Sequence, residues 1–129
     1  MTIEREALAP LVARLQEPRR FLQVVAGPRQ VGKTTLVRQA LERLQLDAQP
    51  MAQHSASADG PGLQGQVWLG TQWQVARALA QQAGRCVLVL DEIQKVSNWT
   101  EEVKRLWDED SAAGRDVRVV ILGSAPLLI

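Results

Sequence analysis

The sequence predicts an α/β fold with a largely parallel sheet, on three observations. Short runs rich in Val, Leu and Ile occur at residues 21–26, 86–92 and 117–124. Segments with helical spacing of apolar residues separate these runs, and strands that alternate with helices typically form parallel sheets. The runs are apolar at successive positions rather than at alternate ones, which is typical of strands covered on both faces.

Composition is that of one ordinary globular domain, which we expect to span residues 1–129. The chain is 46% hydrophobic and 22% charged, and its net charge of +1 gives no basic field that argues by itself for nucleic acid. Its apolar runs are far shorter than the ~20 residues that cross a bilayer, and "MTIEREALAP" lacks the features of a secretory signal. A single cysteine, Cys86, excludes an internal disulfide and a multi-cysteine metal site. We therefore expect a cytoplasmic protein without a membrane partner.

The N-terminal segment, residues 1–18, is expected to be helical. Apolar residues recur at helical spacing between Ile3 and Leu15, and Pro10 within them predicts a kink or two short helical pieces. Arg19 and Arg20 then precede the first strand, where a solvated turn is the main expectation. The alternative for these arginines is an approach to adenine or to a neighbouring subunit.

Three further helices are expected between the strands. The first covers residues 33–44, and the second covers residues 71–83 with Val75 and Leu79 on its buried face. The third follows "SNW", where Asn98 and Glu101 have the spacing of a capping box.

Residues 46–66 are predicted to be a variable loop. The segment is rich in Gly, Pro, Ser, Gln and Ala and shows no periodicity. A structureless loop of this length is unusual in a compact domain, so either a short strand near Met51 or a mobile segment is expected. His54 in this segment has no neighbouring His or Cys and is expected to be a solvated surface residue.

A phosphate-binding loop is predicted between the first strand and the first long helix. "GPRQVGKTT" has the spacing G-x-x-x-x-G-K-[ST], with a strand before it and a helix after it. The glycines let successive backbone N–H groups point toward phosphate oxygens, and the helix N-terminus favours negative charge. Lys33 is expected to reach the β- and γ-phosphates, and the Thr34 hydroxyl is expected to bind Mg²⁺. The candidate nucleotide-binding residues are Gly27, Pro28, Arg29, Gln30, Val31, Gly32, Lys33, Thr34 and Thr35.

Two adjacent acids and a serine are the other candidate site residues. Asp91 and Glu92 end the strand "VLVLDE", at the edge where parallel sheets bind ligands. In nucleotide sites of this kind an acid at a strand end holds the metal together with the loop hydroxyl, which suits Asp91. Glu92 is expected to point to a different side and to polarise the attacking water. Ser124 ends the last strand at the same edge, where it is expected to contact the γ-phosphate or the water.

The segments "GPRQVGKTTL", "VLVLDEIQKVSNW" and "VVILGSAPLL", in this order and spacing, closely resemble prokaryotic AAA-type ATP-binding proteins of the P-loop class. The resemblance implies a three-layer P-loop NTPase fold in which the strand ending at Ser124 lies between the P-loop strand and the strand ending at Asp91. It also implies ATP and Mg²⁺ as cofactors, with Lys33 and Thr34 as the Walker A pair, Asp91 and Glu92 as the Walker B pair, and Ser124 at the sensor position. The preference for ATP over GTP also rests on the resemblance, since the sequence has no guanine-reading motif such as N-K-x-D.

Members of that family continue beyond the strand ending at Ser124 with a helical lid and often a C-terminal domain. The resemblance therefore implies that this sequence is the front portion of such a protein. A second copy of the chain, or a C-terminal domain, is expected to complete the site; Arg105, Arg115 and Arg118 are candidates to act in trans. ATP hydrolysis is the expected family activity, and the alternatives are a nucleotide-binding switch without productive turnover or, less favoured, a small phosphotransferase. Whether the client is nucleic acid or protein stays open.

Overall fold

The computed structural model describes residues 10–17, 19, 22–27, 33–45, 51–59 and 65–124. Within these ranges four strands alternate with four helices, and a 3₁₀ turn (Ile93–Lys95) follows the third strand. The elements are α1 (residues 10–16), β1 (Gln23–Gly27), α2 (Lys33–Gln45), β2 (Ala52–Ser57), α3 (Gln66–Ala83), β3 (Cys86–Asp91), α4 (Trp99–Ala113) and β4 (Val117–Ser124). No helix in these ranges is both long and apolar enough to span a membrane. Residues 3–9 of the predicted N-terminal helix lie outside the described residues.

The sheet has the strand order β1-β4-β3-β2, and every neighbouring pair is parallel. The predicted α/β class is confirmed, and β4 lies between β1 and β3 as expected. Because all four strands run the same way, the sheet has two distinct ends. The amino edge is defined by the first residues of the strands, Gln23, Ala52, Cys86 and Val117, and the carboxyl edge by the last, Gly27, Ser57, Asp91 and Ser124.

Apolar side chains cover both faces of the sheet, as the continuous apolar runs predict. Alternate residues of β3 point to opposite sides: Cys86, Leu88 and Leu90 pack toward α3 and α4, while Val87 and Val89 pack toward α1 and α2. The two cores make the domain a three-layer α/β/α structure. The core on the α1 and α2 side consists of Leu11, Val12, Leu15, Leu36, Val37, Ala40, Leu41, Met51, Val87, Val89, Val120 and Leu122.

β2 lies inside the segment predicted to be a variable loop, close to the position considered for a short strand. Its sequence, "AQHSAS", is polar because it is the last strand of the order and most of its residues are only half-buried. Pairing with β3 over six positions satisfies its backbone. The prediction of a solvated His54 is wrong, since the ring Nε2 lies 2.8 Å from the side-chain oxygen of Gln72 on α3.

α3 differs from its prediction in both its start and its buried face. It begins at Gln66, before Gly70, because Leu69 and Trp73 are both fully buried one turn apart. That burial outweighs the cost of a mid-helix glycine, about 1 kcal/mol. Val75, expected on the buried face, is 39% exposed. The C-terminal prediction is correct: Gly84 has φ +92 and donates its N–H to the Ala80 carbonyl.

The predicted capping box at α4 is not formed. Asn98 lies at the N-cap but adopts a left-handed conformation, φ 56, and its side chain makes no capping hydrogen bond. The helix is instead fixed by burial of Trp99, Val103 and Leu106 on one face.

Two arginines fasten the N-terminal segment to the amino edge. Arg118 on β4 is 7% exposed and donates to the carbonyls of Leu15 and Glu17, at 2.6 Å each, and to the Asp116 carboxylate. The guanidinium of this candidate to act in trans is therefore engaged with the end of the N-terminal segment of its own chain. Arg19 was expected in a solvated turn, but it stacks 3.5 Å from the ring centroid of Trp107 and donates to three oxygens on α4 and β4.

A buried carboxylate joins α3 to α4 near the same edge. Asp110 is fully buried and accepts hydrogen bonds from the Trp73 indole at 2.7 Å, from Arg77 at 2.7 Å and from Arg115 at 3.0 Å. An indole and two guanidinium groups offset the cost of taking this carboxylate out of water.

Candidate functional site

The end of β1 and the start of α2 flank the predicted phosphate-binding loop. β1 ends at Gly27 and α2 begins at Lys33, so the observed order is strand, short connection, helix. The N-terminus of α2 consequently lies at the carboxyl edge, where its unpaired N–H groups favour an anion. Of the candidate nucleotide-binding residues, Gly27 and the backbone of residues 33–35 are described; Pro28, Arg29, Gln30, Val31 and Gly32 lie outside the described residues.

The strand register places three of the predicted site positions at one edge. Gly27 of β1 pairs with Ser124 of β4, and Leu90 of β3 pairs with Ile121 of β4. Asp91 is therefore level with Leu122 of β4. β4 lies between β3, which carries Asp91, and β1, which carries Gly27. With neighbouring strands about 4.8 Å apart, β1 and β3 lie roughly 10 Å from each other.

Asp91 lies on the side of the sheet that α2 covers. Val89, two residues earlier on the same strand, belongs to the core shared with α1 and α2, so side-chain alternation directs Asp91 the same way. It is half-buried and borders a cleft of about 340 Å³ between α2 and the carboxyl edge. The cleft is lined by Val37, Arg38, Leu41, Ser55, Ala56, Ser57, Val89, Asp91 and Leu122.

Glu92 leaves the strand in a different direction from Asp91. Its backbone is left-handed, with φ 55 and ψ 41, a conformation that costs an L-residue roughly 1–2 kcal/mol. The residue is 8% exposed, and its carboxylate accepts a 2.6 Å hydrogen bond from the side-chain amide of Gln94. The described lining of the cleft includes Asp91 and not Glu92.

The turn after Glu92 is fastened on two sides. Ile93 and Val96 are buried in the core beneath α3 and α4. Lys95 forms an ion pair with Asp59, which follows β2. The 3₁₀ turn thus connects the ends of β3 and β2, and it fixes where Glu92 and Gln94 lie.

The residues at this edge fit a magnesium ion bound together with a nucleotide. Mg²⁺ in such sites takes one or two carboxylates and keeps water and phosphate oxygens as its other ligands. Asp91 supplies one carboxylate on the α2 side, where Thr34 stands in the first turn of the helix. Across the part of the chain that the structure describes, no three His, Cys, Asp or Glu side chains are grouped as a closed protein cage.

A family model described as an AAA domain matches residues 19–129. The chain belongs to the AAA domain family. The resemblance inferred from the three sequence segments is thereby confirmed, and family membership implies nucleotide binding. Among curated proteins, none matches this AAA domain.

Solved structures with the same fold include two other proteins. The RuvB Holliday junction branch migration motor of Thermotoga maritima is 25% identical, with a TM-score of 0.57, and the match covers 95% of this chain and 36% of RuvB. The ORC2 protein of Aeropyrum pernix, in ADPNP and ADP complexes, is 16% identical with a TM-score of 0.60, covering 94% of this chain and 40% of ORC2. At this low identity, the match to ORC2 shows a shared fold and nothing about function. This AAA domain spans little more than a third of the length of either protein.

Other sequence expectations meet mixed outcomes. Trp73, Trp99 and Cys86 are buried in the core. Arg105 and Arg115, the remaining candidates to act in trans, form ion pairs on their own chain with Glu102, Glu109 and Asp110. Sequence reasoning did not predict the hydrogen bond between Gln94 and Glu92.

Proposed function

We propose that this domain binds ATP with Mg²⁺ and that ATP hydrolysis is its activity. One observation carries the proposal: the parallel register brings the end of β1, the start of α2, Asp91 and Ser124 to a single edge of the sheet. Bound phosphates need that combination of a helix N-terminus, a loop of backbone donors and a nearby acid. Family membership supports the same conclusion.

The phosphate chain is proposed to lie along the loop from Gly27 to Thr35. Backbone N–H groups of residues 27–35 would donate to phosphate oxygens, and Lys33 would place its charge beside the β- and γ-phosphates. Glycines at both ends of the GPRQVG stretch permit the close backbone approach that this binding needs.

Thr34 and Asp91 are proposed to hold Mg²⁺, directly or through water. Both stand on the side of the sheet that α2 covers, which supports their sharing one ion. When bound, the ion neutralises charge on the β- and γ-phosphate oxygens. Asp91 also keeps its carboxylate beside the apolar wall of Val89 and Leu122, where charge interactions are less screened than in water.

Glu92 is proposed to orient the water that attacks the γ-phosphate in line, and Ser124 to contact that phosphate or the water. A carboxylate within hydrogen-bond reach of the water would accept its proton as the new bond from the water oxygen to the γ-phosphorus forms and the bond from that phosphorus to the bridging oxygen breaks, with ADP as the leaving group. Ser124 pairs with Gly27 at the edge, which supports its closeness to the phosphate-binding loop.

A nucleotide-binding switch without productive turnover is the second candidate function. It is favoured by the position of Glu92, which is 8% exposed and hydrogen-bonded to Gln94 rather than part of the cleft lining. In this alternative the nucleotide changes the affinity for a partner. We further propose that a second copy of the chain, or a C-terminal domain, supplies the remaining groups of the site; the net charge of +1 favours neither nucleic acid nor protein as the client.

Two single variants test both candidates. We expect Lys33→Ala to weaken Mg²⁺–ATP binding at least about tenfold, because it removes the point charge at the phosphates. We expect Glu92→Gln to keep binding and to lower turnover by about 10²-fold or more. Isothermal titration measures affinity, phosphate release measures turnover, and Lys104→Ala on the exposed side of α4 is the matched control.

Each result separates the alternatives. No Mg²⁺–ATP binding by the unmodified chain would contradict the proposal as a whole. Equal binding with negligible turnover in both the unmodified chain and Glu92→Gln would select the switch.

A further inference from the structure

The cleft between α2 and the carboxyl edge extends beyond the predicted phosphate-binding loop. Its α2 wall consists of Val37, Arg38 and Leu41, which lie one to two turns past Lys33 at the start of the helix. Its floor spans β4, β3 and β2, and none of the described lining residues belongs to β1. The cleft therefore runs from Asp91 toward β2, and the proposed position of the phosphate chain does not fill it.

Hydrogen bonds within the chain fix the two ends of this cleft. Toward the amino edge, the Gln53 side chain donates to the Leu41 carbonyl at 3.0 Å and joins β2 to α2. Toward the carboxyl edge, the Ala58 N–H donates to the Asp91 carbonyl at 3.0 Å and holds the end of β2 against β3. The walls are thus positioned by the fold, and the cleft is preformed, as small-molecule sites usually are.

Much of the interior is apolar. Val37, Leu41, Val89 and Leu122 are buried core residues that also border the cleft. Its volume of about 340 Å³ lies at the lower end of the range of small-molecule sites, roughly 300–1,000 Å³. This space suits a small apolar body rather than a helix, whose diameter with side chains is about 10–12 Å.

The described lining contains one cation, Arg38, and one anion, Asp91. Arg38 is exposed, and it has no hydrogen-bond or ion-pair partner among the residues that the structure describes. A guanidinium group carries five N–H donors in a planar fork that matches a carboxylate in a bidentate arrangement. Arg38 can therefore bind an anion at the rim of the cleft without losing a contact within the chain.

Two serines add hydroxyl groups on the β2 side. Ser55 and Ser57 are exposed and pair in register with Val89 and Asp91, so they lie on the face of the sheet that α2 covers. The Ser57 Oγ accepts the Asp59 N–H at 3.0 Å, which leaves the hydroxyl proton for donation to a ligand.

We propose that this cleft is a binding site for a small carboxylate with an apolar body, and that Arg38 is its anion-binding residue. The carboxylate of the ligand pairs with the guanidinium, and the apolar body lies against Val37, Leu41 and Val89. A carboxylate suits the site better than a phosphate, because Asp91 in the same cleft repels a dianion more strongly than a monoanion. The inference does not depend on the proposed ATPase function.

The first test compares two probes of equal size, 4-phenylbutyrate and the uncharged 4-phenylbutan-1-ol. We expect 4-phenylbutyrate to bind with a dissociation constant of the order of 1 mM and to shift the amide NMR signals of residues 37–41 and 55–57. The alcohol is expected to bind at least about fivefold more weakly, because it lacks the charge that pairs with Arg38. Equal binding of the two probes, or shifts confined to other residues, would overturn the inference.

The second test uses variants of the cleft wall. We expect Arg38→Met to weaken 4-phenylbutyrate binding about tenfold and to leave the affinity for the alcohol within about twofold. Arg43→Met, exposed in the last turn of α2 and outside the described lining, is the matched control. Unchanged 4-phenylbutyrate affinity in Arg38→Met would contradict the role of this arginine.

A cleft-filling variant checks the apolar part of the site. We expect Ser55→Leu to weaken both probes at least about fivefold, because the larger side chain occupies the space of the apolar body. An unchanged urea unfolding midpoint shows that this variant is folded. Full affinity for both probes in the folded variant would place their binding outside the cleft.

Mg²⁺–ATP separates this site from the nucleotide site. We expect 4-phenylbutyrate to bind the unmodified chain when the chain is saturated with Mg²⁺–ATP. Displacement of the probe would show that the cleft belongs to the nucleotide site and would overturn the inference. A chain that binds the probe but not Mg²⁺–ATP would contradict the proposed function alone.

Discussion

The two ends of the sheet use charged residues in opposite ways. At the amino edge, Arg118 is buried against backbone carbonyls, and Asp110 is fully enclosed by an indole and two guanidinium groups. At the carboxyl edge, Asp91 borders an open cleft and Glu92 has a left-handed backbone. Beside it, the amide oxygen of Gln94 has no hydrogen-bond partner among the described residues.

The difference indicates that the two edges of the sheet have separate roles, stability at the amino edge and ligand binding at the carboxyl edge. Charges at the amino edge are satisfied by the chain itself and join α1, α3 and α4 to the sheet. Strained backbone and unsatisfied polar atoms at the carboxyl edge are features that proteins retain at functional sites. We therefore expect substitutions at the amino edge to change the free energy of unfolding and those at the carboxyl edge to change ligand binding.

The largest stability effect is expected for Asp110→Ala. The change leaves the Arg77 side chain, 11% exposed, without its buried ion pair and the Trp73 indole without its acceptor. Breaking a buried pair from one side costs about 3–5 kcal/mol, which urea unfolding measures.

Asp108→Ala on the exposed side of the same helix is the matched control, with an expected change within about 0.5 kcal/mol. Similar changes in the free energy of unfolding for the two substitutions would contradict the stabilising role proposed for the buried charges at the amino edge.

A smaller loss is expected for Arg118→Met. The methionine keeps much of the packing but leaves the carbonyls of Leu15 and Glu17 without their donor, at a cost of about 2–3 kcal/mol. In Arg118→Met, amide hydrogen exchange is expected to show faster opening of residues 10–17 than of the strands of the sheet. Arg14→Met, exposed on α1, serves as control; equal exchange in both variants would argue against the anchoring role.

The smallest effect concerns Cys86, which begins β3. Burial raises the pKa of its thiol to about 11 from the ordinary value of 9.0. Between these values the unfolded chain loses a proton that the folded chain retains, so this residue lowers stability as pH rises from about 9 to 11 and has no such effect at neutral pH.

At pH 8 we expect a thiol reagent to label Cys86 only after unfolding in urea, since the side chain is fully buried. Rapid labelling of the folded chain would show that the amino end of β3 is open.

Local sequence signals predicted the parts of the fold that depend on local chemistry. The apolar runs predicted β1, β3 and β4, and the glycine-rich motif predicted the start of α2. Both signals depend on residues that are close together in the sequence, so they can be recognised without the structure. β2 was harder, since its polar residues form a strand only because β3 offers a pairing edge.

Long-range contacts were beyond sequence reasoning. The hydrogen bonds of Arg118 to α1 join residues about a hundred positions apart, and Arg19 meets Trp107 across the chain. Arginines look alike in sequence whether they are buried against carbonyls or solvated. The acids at the carboxyl edge were predicted because strand ends bind ligands, but the Gln94 contact depends on the turn geometry after Glu92.

Magnesium-dependent nucleotide affinity of Asp91→Asn tests the central claim most directly. We expect the unmodified chain to bind ATP more tightly with Mg²⁺ than with EDTA, and the variant to lose that difference while its urea unfolding midpoint stays nearly unchanged. The asparagine keeps the size of the side chain and removes the negative charge that the ion requires. A variant that keeps the full magnesium dependence, or one that unfolds as readily as Asp110→Ala, would contradict the assignment of binding to the carboxyl edge and stability to the amino edge.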